Sequence, residues 1–139
     1  MLANSLNTNE IKNSAGTEVE FTRLSTNNRE TVFQQVAETP SLPHRLTIKH
    51  LESGAGIKKR RRSVVRFDKT VMSGVDATVP ITISAYCVLD TPVGGLTANT
   101  EPTHVMAELQ SFVASLGATT TILYDGTGNG TRVLLNGEL

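Results

Sequence analysis

The stretch HRLTIKHLESGAGIKKRRRSVVRFDKT, His44–Thr70, holds two segments of alternating character around a glycine-flanked reversal. In "HRLTIKHLES", Leu46, Ile48 and His50 fall on one side, and Arg45, Thr47, Lys49 and Leu51 on the other. That is the period of two that a pleated strand imposes. "GAG" (Gly54–Gly56) turns the chain. On the return, Val65 and Phe67 share one face, with Arg62, Val64, Arg66 and Asp68 opposite. Each strand of this hairpin therefore has an apolar face and a face that carries cations. Lys49, Arg62 and Arg66 are expected on one side of one sheet. A solvated hairpin tip does not predict that registration, whereas a surface that holds phosphates does.

Charge is sorted along the chain. Formal net charge is zero, yet residues 45–69 hold nine cations against only Glu52 and Asp68. Four cations and eleven anions are left for the rest. Such sorting suits a protein with one basic face. "KKRRR" would also serve as a nuclear import signal, but those usually occupy flexible segments rather than merging into an alternating strand.

At 139 residues the chain suits one domain, and 38% apolar content is enough for a core. No window has the roughly 18 apolar residues of a membrane span. The Asn/Ser/Thr-rich start, residues 1–17, lacks the basic and apolar blocks of a secretory signal. The single cysteine, Cys87, excludes an internal disulfide framework and a zinc site of clustered thiolates, and fits a reducing compartment.

Working outward, "EVEFTRL" (Glu18–Leu24) alternates as a half-buried strand with Val19, Phe21 and Arg23 on one side. "STNNRETVFQQVA" reads as a turn and a strand, the alternative being a short helix capped by Ser25 or Thr26. "TPSLP" breaks the pattern. From Thr78 to Leu89, Val79, Ile81, Ile83, Ala85 and Cys87 make an expected buried face, with Thr82, Ser84 and Tyr86 opposite. In "THVMAELQSFVASLG", Val105, Met106, Leu109, Phe112, Val113 and Leu116 form one apolar helical stripe. Thr100 or a neighbour caps its start, Pro102 lies in the first turn and Gly117 stops it. The tail reads as a hairpin around its Gly-rich turn, an irregular end being the alternative.

The expected fold is α+β: one domain with a segment over 1–17, an antiparallel meander with an N-terminal hairpin over 18–89, a late amphipathic helix over 100–117 and a tail over 118–139. One helix covers only part of one sheet face, so a partner subunit is expected to supply the remaining burial. Catalytic chemistry finds no support. His44, His50 and His104 are dispersed, so no metal site is expected. "GTGNGT" (Gly126–Thr131) lacks the Gly-Lys-Ser/Thr ending of a phosphate loop.

The ordered set "STNNRETVFQQV", "HRLTIKHLES", "RRRSVVRFDKT", "ITISAY" and "EPTHVMAELQSFVASLG" resembles the coat proteins of the small single-stranded RNA bacteriophages, the leviviruses. The resemblance spans roughly Glu18–Gly117 and implies an interlocked homodimer whose sheets join edge to edge. Each helix, with its stripe from Val105 to Leu116, would cross onto the partner. Dimers of that family build an icosahedral shell with the sheet facing the RNA, in a virion assembled in the bacterial host cytoplasm. In many members the sheet also binds a hairpin that shuts off replicase translation. The implied partners are a second copy, single-stranded RNA with hairpins and a maturation protein, with no cofactor and no membrane.

The family's inward positions map onto Thr47, Lys49, Val64, Arg66 and Asp68, with Arg62 beside them. Thr82, Ser84 and Tyr86 are additions from the neighbouring strand, and Lys58, Lys59, Arg60 and Arg61 are expected to meet phosphates near the turn. Tyr86 is suited to stacking on an unpaired base. Against the family pattern, Leu51 stands where a polar contact is expected, and the tail lacks an evident second helix. The other class compatible with these residues is a non-viral dimeric RNA-binding β module.

Overall fold

The computed structural model describes residues 2–7, 10–116 and 122–138. Its elements are β1 (Ser5–Leu6), β2 (Phe21–Asn27), β3 (Glu30–Gln35), β4 (His44–Ser53), β5 (Arg60–Met72), β6 (Pro80–Thr91), α1 (Thr100–Ala114) and α2 (Asn129–Asn136). Internal contacts divide the chain into two compact units. These are Met1–Asn7 with Glu20–Thr97, and Thr8–Val19 with Ala98–Leu139.

The first unit is a six-stranded sheet in the order β1-β2-β3-β4-β5-β6, antiparallel throughout. "STNNRETVFQQVA" is a turn and a strand. Asn28 has φ 49° between β2 and β3, a left-handed position that Asn tolerates. β4 and β5 pair without interruption from His44↔Lys69 to Ser53↔Arg60. Gly54 makes their reversal at φ 77°, where an added Cβ would stand 2.6 Å from the Lys58 carbonyl oxygen. A short 3-10 turn, Gly56–Lys58, follows, so that Arg60, Arg61 and Arg62 already belong to β5.

The core of this unit lies on one sheet face. Leu6 opposes Phe21, Phe33 opposes Leu46, and Leu46 opposes Phe67. Leu6, Phe21, Phe33 and Leu46 are buried. Phe21 meets the Phe67 and His44 rings edge-on, at 5.9 and 5.0 Å between centroids. Arg23 joins the same face. Its guanidinium lies over the Phe33 ring, and Nη2 donates to the Leu2 carbonyl at 2.6 Å, tying the N-terminal strand down. The outer strand β6 departs from expectation. Val79, Ile81, Ile83 and Ala85, read as buried, are exposed, and Cys87 is half-buried. No strand pairs with the far edge of β6 among the described residues.

In the second unit α1 begins where expected, although Asn99 precedes it and supplies no side-chain cap. The Asn99 carbonyl instead accepts from the Thr103 hydroxyl at 2.7 Å. α1 ends at Ala114, short of Gly117, which lies outside the described residues with Ala118–Thr121. The physical cause is a competing set of partners. Ser115 turns extended and bridges Ile122, and the Ala114 carbonyl accepts from Leu123 N at 2.8 Å. Leu116, assigned to the helical stripe, is therefore beyond the helix.

The tail is a second correction: the sequence suggests a hairpin around a Gly-rich turn, but Asn129–Asn136 is the helix α2. Its first turn docks on the end of α1. The Thr131 hydroxyl donates to the Val113 carbonyl at 2.9 Å, satisfying an acceptor the helix end leaves open, and Asn129 Nδ2 donates to the Leu116 carbonyl just beyond it at 3.2 Å. The glycines taken for a hairpin turn serve this close approach instead. Gly130 is buried, and a Cβ there would overlap the Phe112 carbonyl oxygen.

Gly130→Ala is accordingly expected to destabilise the fold by about 1–3 kcal/mol, the usual range for forced overpacking. A lowered midpoint in chemical denaturation of the purified protein checks it.

Candidate nucleic-acid interface

The register of β3 to β6 assembles the polar face row by row, since directly opposed residues of an antiparallel pair share a side. Thr47 opposes Arg66, and Arg66 opposes Tyr86. Lys49 opposes Val64, Arg62 opposes Asp90, Asp68 opposes Ser84, and Thr70 opposes Thr82. Arg60 has the same parity as Arg62. Thus Thr47, Lys49, Arg60, Arg62, Val64, Arg66, Asp68, Thr82, Ser84 and Tyr86 occupy one face. Arg61 does not. It opposes Glu52 on the other side of the sheet, because the strand begins before the cation run ends. Lys58 lies in the 3-10 turn.

The centre of the face is a hydrogen-bonded network. Arg66 Nε donates to Asp68 Oδ1 at 2.9 Å, and Arg66 Nη2 to Ser84 Oγ at 3.3 Å. Ser84 Oγ also donates to Asp68. The Arg66 bond, then that from Ser84, holds the Asp68 carboxyl below its usual range, while Asp68 raises the Arg66 guanidinium. Tyr86, a residue 69% exposed, stands opposite Arg66 beside this network. A planar guanidinium fixed next to an open ring can contact phosphate, a base edge and a base plane together.

Carboxylates absent from the sequence reading accompany the cations. Glu30 faces Lys49 across β3 and β4 and bonds it at 3.0 Å. Asp90 pairs with Arg60 at 2.9 Å, and Glu38 with Arg45 at 2.7 Å. The sequence signal for Glu30 was the alternation of "ETVFQQ", which puts it on the face opposite Phe33.

Two more cations of the run, Lys59 and Arg61, gather with Arg29 around Glu52 on the other face. Arg29, Lys59 and Arg61 all bond Glu52, at 3.0, 2.8 and 2.8 Å. Bonds from Lys59 and then Arg61 lower the Glu52 carboxyl to about 2. Arg29 and Lys59 thereby reach one acid from opposite flanks of β4. That clasp braces the hairpin end rather than offering cations to a ligand. Among the described residues no group of His, Cys, Asp and Glu is arranged to hold a metal ion, and no helix is long and apolar enough to cross a membrane.

No protein-family model matches the chain, and no curated protein matches its sequence. Solved structures do. A virus-like particle of bacteriophage EMS014 aligns with a TM-score of 0.74 at 14% identity, covering 100% of this chain and 99% of that one. The bacteriophage EMS014 coat protein aligns at 0.66 and 14%, covering 86% of each chain. The bacteriophage GA capsid protein aligns at 0.57 and 16%, covering 97% of this chain and 95% of that one. A meander sheet followed by two helices is thus the fold of phage coat proteins, the group to which the sequence motifs point. Structural neighbours of this kind include a virus-like particle of Beihai levi-like virus 32, at a TM-score of 0.55 and 20% identity.

Because the Glu52 carboxyl is lowered from 4.5 to about 2 in the fold, its stabilising effect is complete above pH 4.5 and disappears as pH falls through about 2. Glu52→Gln is expected to melt below the parent at neutral pH, with the gap closing toward pH 2. Thermal melts across that range measure it.

Proposed function

We propose that this protein is a coat protein of a single-stranded RNA phage, which dimerises, assembles into a closed shell and packages RNA against the polar face of its sheet. The observation that carries the reading is the outer strand β6 in a fold shared with phage coat proteins. β6 has twelve residues and an edge without a partner among the described residues. Long open edges are normally shielded, because their N–H and C=O groups recruit further strands. Ile81 and Ile83 flank that edge and are exposed, as are Val105, Leu109 and Phe112 on α1. A second copy joined edge to edge would pair the strand, and its helix would cover the apolar side chains. Patches of this kind mark interfaces in proteins that self-associate.

RNA binding is supported by the co-facial row of Lys49, Arg62 and Arg66 with Thr47, Ser84 and Tyr86. On this reading the same face binds a hairpin that represses translation of the replicase, and the virion is the site of residence. The role is structural rather than catalytic.

Negative-stain microscopy of protein expressed in bacteria tests the reading. Uniform shells with an absorbance ratio typical of nucleoprotein are expected. Discrete dimers without shells would instead favour a non-viral RNA-binding module. Phe112→Asp is expected to abolish soluble dimers, since burying an unpaired carboxylate in an apolar seam costs several kcal/mol. Size-exclusion chromatography with light scattering reads the outcome, and soluble dimers of this variant would remove α1 from the seam.

A further inference from the structure

Arg45, Lys49, Arg60, Arg62 and Arg66 line the polar face, and all but one already hold a carboxylate. Arg62 makes no ion pair among the described residues. Its cross-strand neighbours are Leu51 on β4, which is exposed, and Asp90 on β6. Asp90 is engaged elsewhere, accepting from Arg60 Nε at 2.9 Å. Arg62 therefore presents a full positive charge, while Lys49, Arg60 and Arg66 present charges that Glu30, Asp90 and Asp68 cancel at close range.

We propose that Arg62 is the phosphate anchor of this face, and that Glu30, Glu38, Asp68 and Asp90 are built-in competitors that keep the other cations from gripping polyanions indiscriminately. The inference rests on the reading of this face as an RNA surface and adds a basis for its selectivity. A phosphate that approaches a paired cation meets the repulsion of the carboxylate beside it. It gains less than at a free cation and displaces fewer counterions. A neutral acceptor meets no such repulsion.

Arg66 illustrates the difference. Nε and Nη2 are committed to Asp68 and Ser84, whereas Nη1 has no acceptor among the described residues. That nitrogen, fixed in direction beside exposed Tyr86, suits a base carbonyl or ring nitrogen. The ligand class this favours is single-stranded RNA with unstacked bases, over a polyanion that offers charge alone. The Asp68 carboxyl, held below its usual range, stays ionised through the range in which RNA is handled, so the competition persists.

Filter binding over a salt series tests this with the full-length protein and two probes, a random-sequence single-stranded RNA and an inorganic polyphosphate of matched charge. The parent is expected to prefer RNA. Glu30→Gln with Asp68→Asn should raise polyphosphate affinity severalfold and shrink that preference. The RNA salt slope should steepen by roughly 0.7 for each cation released. Arg62→Ala should weaken both probes and flatten both slopes.

Glu52→Gln removes the same kind of charge on the opposite face and should leave the preference intact. An equal gain with that variant would reduce the effect to net charge and overturn the proposal. So would a double variant that binds polyphosphate no better than the parent, or an Arg62→Ala protein that binds like the parent. Should the double variant fail to fold by circular dichroism, Asp90→Asn, which frees Arg60, must show the same gain. A parent that retains no RNA at any salt overturns the RNA reading of the face as well, an outcome distinct from the others.

Discussion

The uninterrupted pairing of β4 with β5 sets the position of nearly everything that bears on function. Leu46 stands opposite Phe67 on the apolar side, and Thr47 opposite Arg66 on the polar side. A slip of one residue would move Arg66 and Asp68 to the core side and Phe67 to solvent. The buried pair of Phe21 and Phe33, with Phe67 edge-on to Phe21, makes that slip expensive. The polar face is thus positioned by the apolar face behind it. Hydrophobic burial selects the register, and the register selects which charges become neighbours.

Charge in this protein works at two scales. Along the sequence, cations are concentrated in 45–69, while carboxylates are spread over the rest. In the sheet, three of those carboxylates, Glu30, Glu38 and Asp90, return to the cations, and Glu52 and Asp68 inside the stretch join them. Glu52 gathers Arg29, Lys59 and Arg61, while Glu30, Asp90 and Asp68 hold Lys49, Arg60 and Arg66. These pairs are largely solvent-exposed, and exposed pairs contribute little to stability individually. Their effect is directional. They aim guanidinium groups and reduce the field that an approaching anion experiences.

The second unit follows a different rule, in which backbone proximity decides more than side-chain pattern. α1 carries an apolar stripe, yet Val105, Leu109 and Phe112 remain exposed, and α2 secures the helix end through Asn129, Gly130 and Thr131. An amphipathic helix with its apolar side chains in solvent is half of a contact. The outer strand β6, with Ile81 and Ile83 exposed, presents a similar incompleteness in the sheet. The proposed dimer accounts for both with one partner.

Strand existence and facing were legible in the sequence wherever the cause is local. Alternation in "HRLTIKHLES" and "SVVRFD" predicts the faces of β4 and β5, and the helical spacing of Val105, Leu109 and Phe112 predicts α1. These patterns are set by the geometry of one strand or one helix, so neighbouring residues are sufficient evidence. Other features needed the tertiary structure. Arg61 left the expected surface because the turn ends earlier than its charges do. Glu30 and Asp90 joined that surface through pairing with strands distant in sequence. The glycines of the tail admit either a hairpin turn or a close helix contact, and only the carbonyl of Phe112 beside Gly130 decides between them. The residue pattern determined which side chains could face together, because backbone periodicity is local. Which charges remain free on that face was decided by the fold, because ion pairing depends on what packing brings within reach.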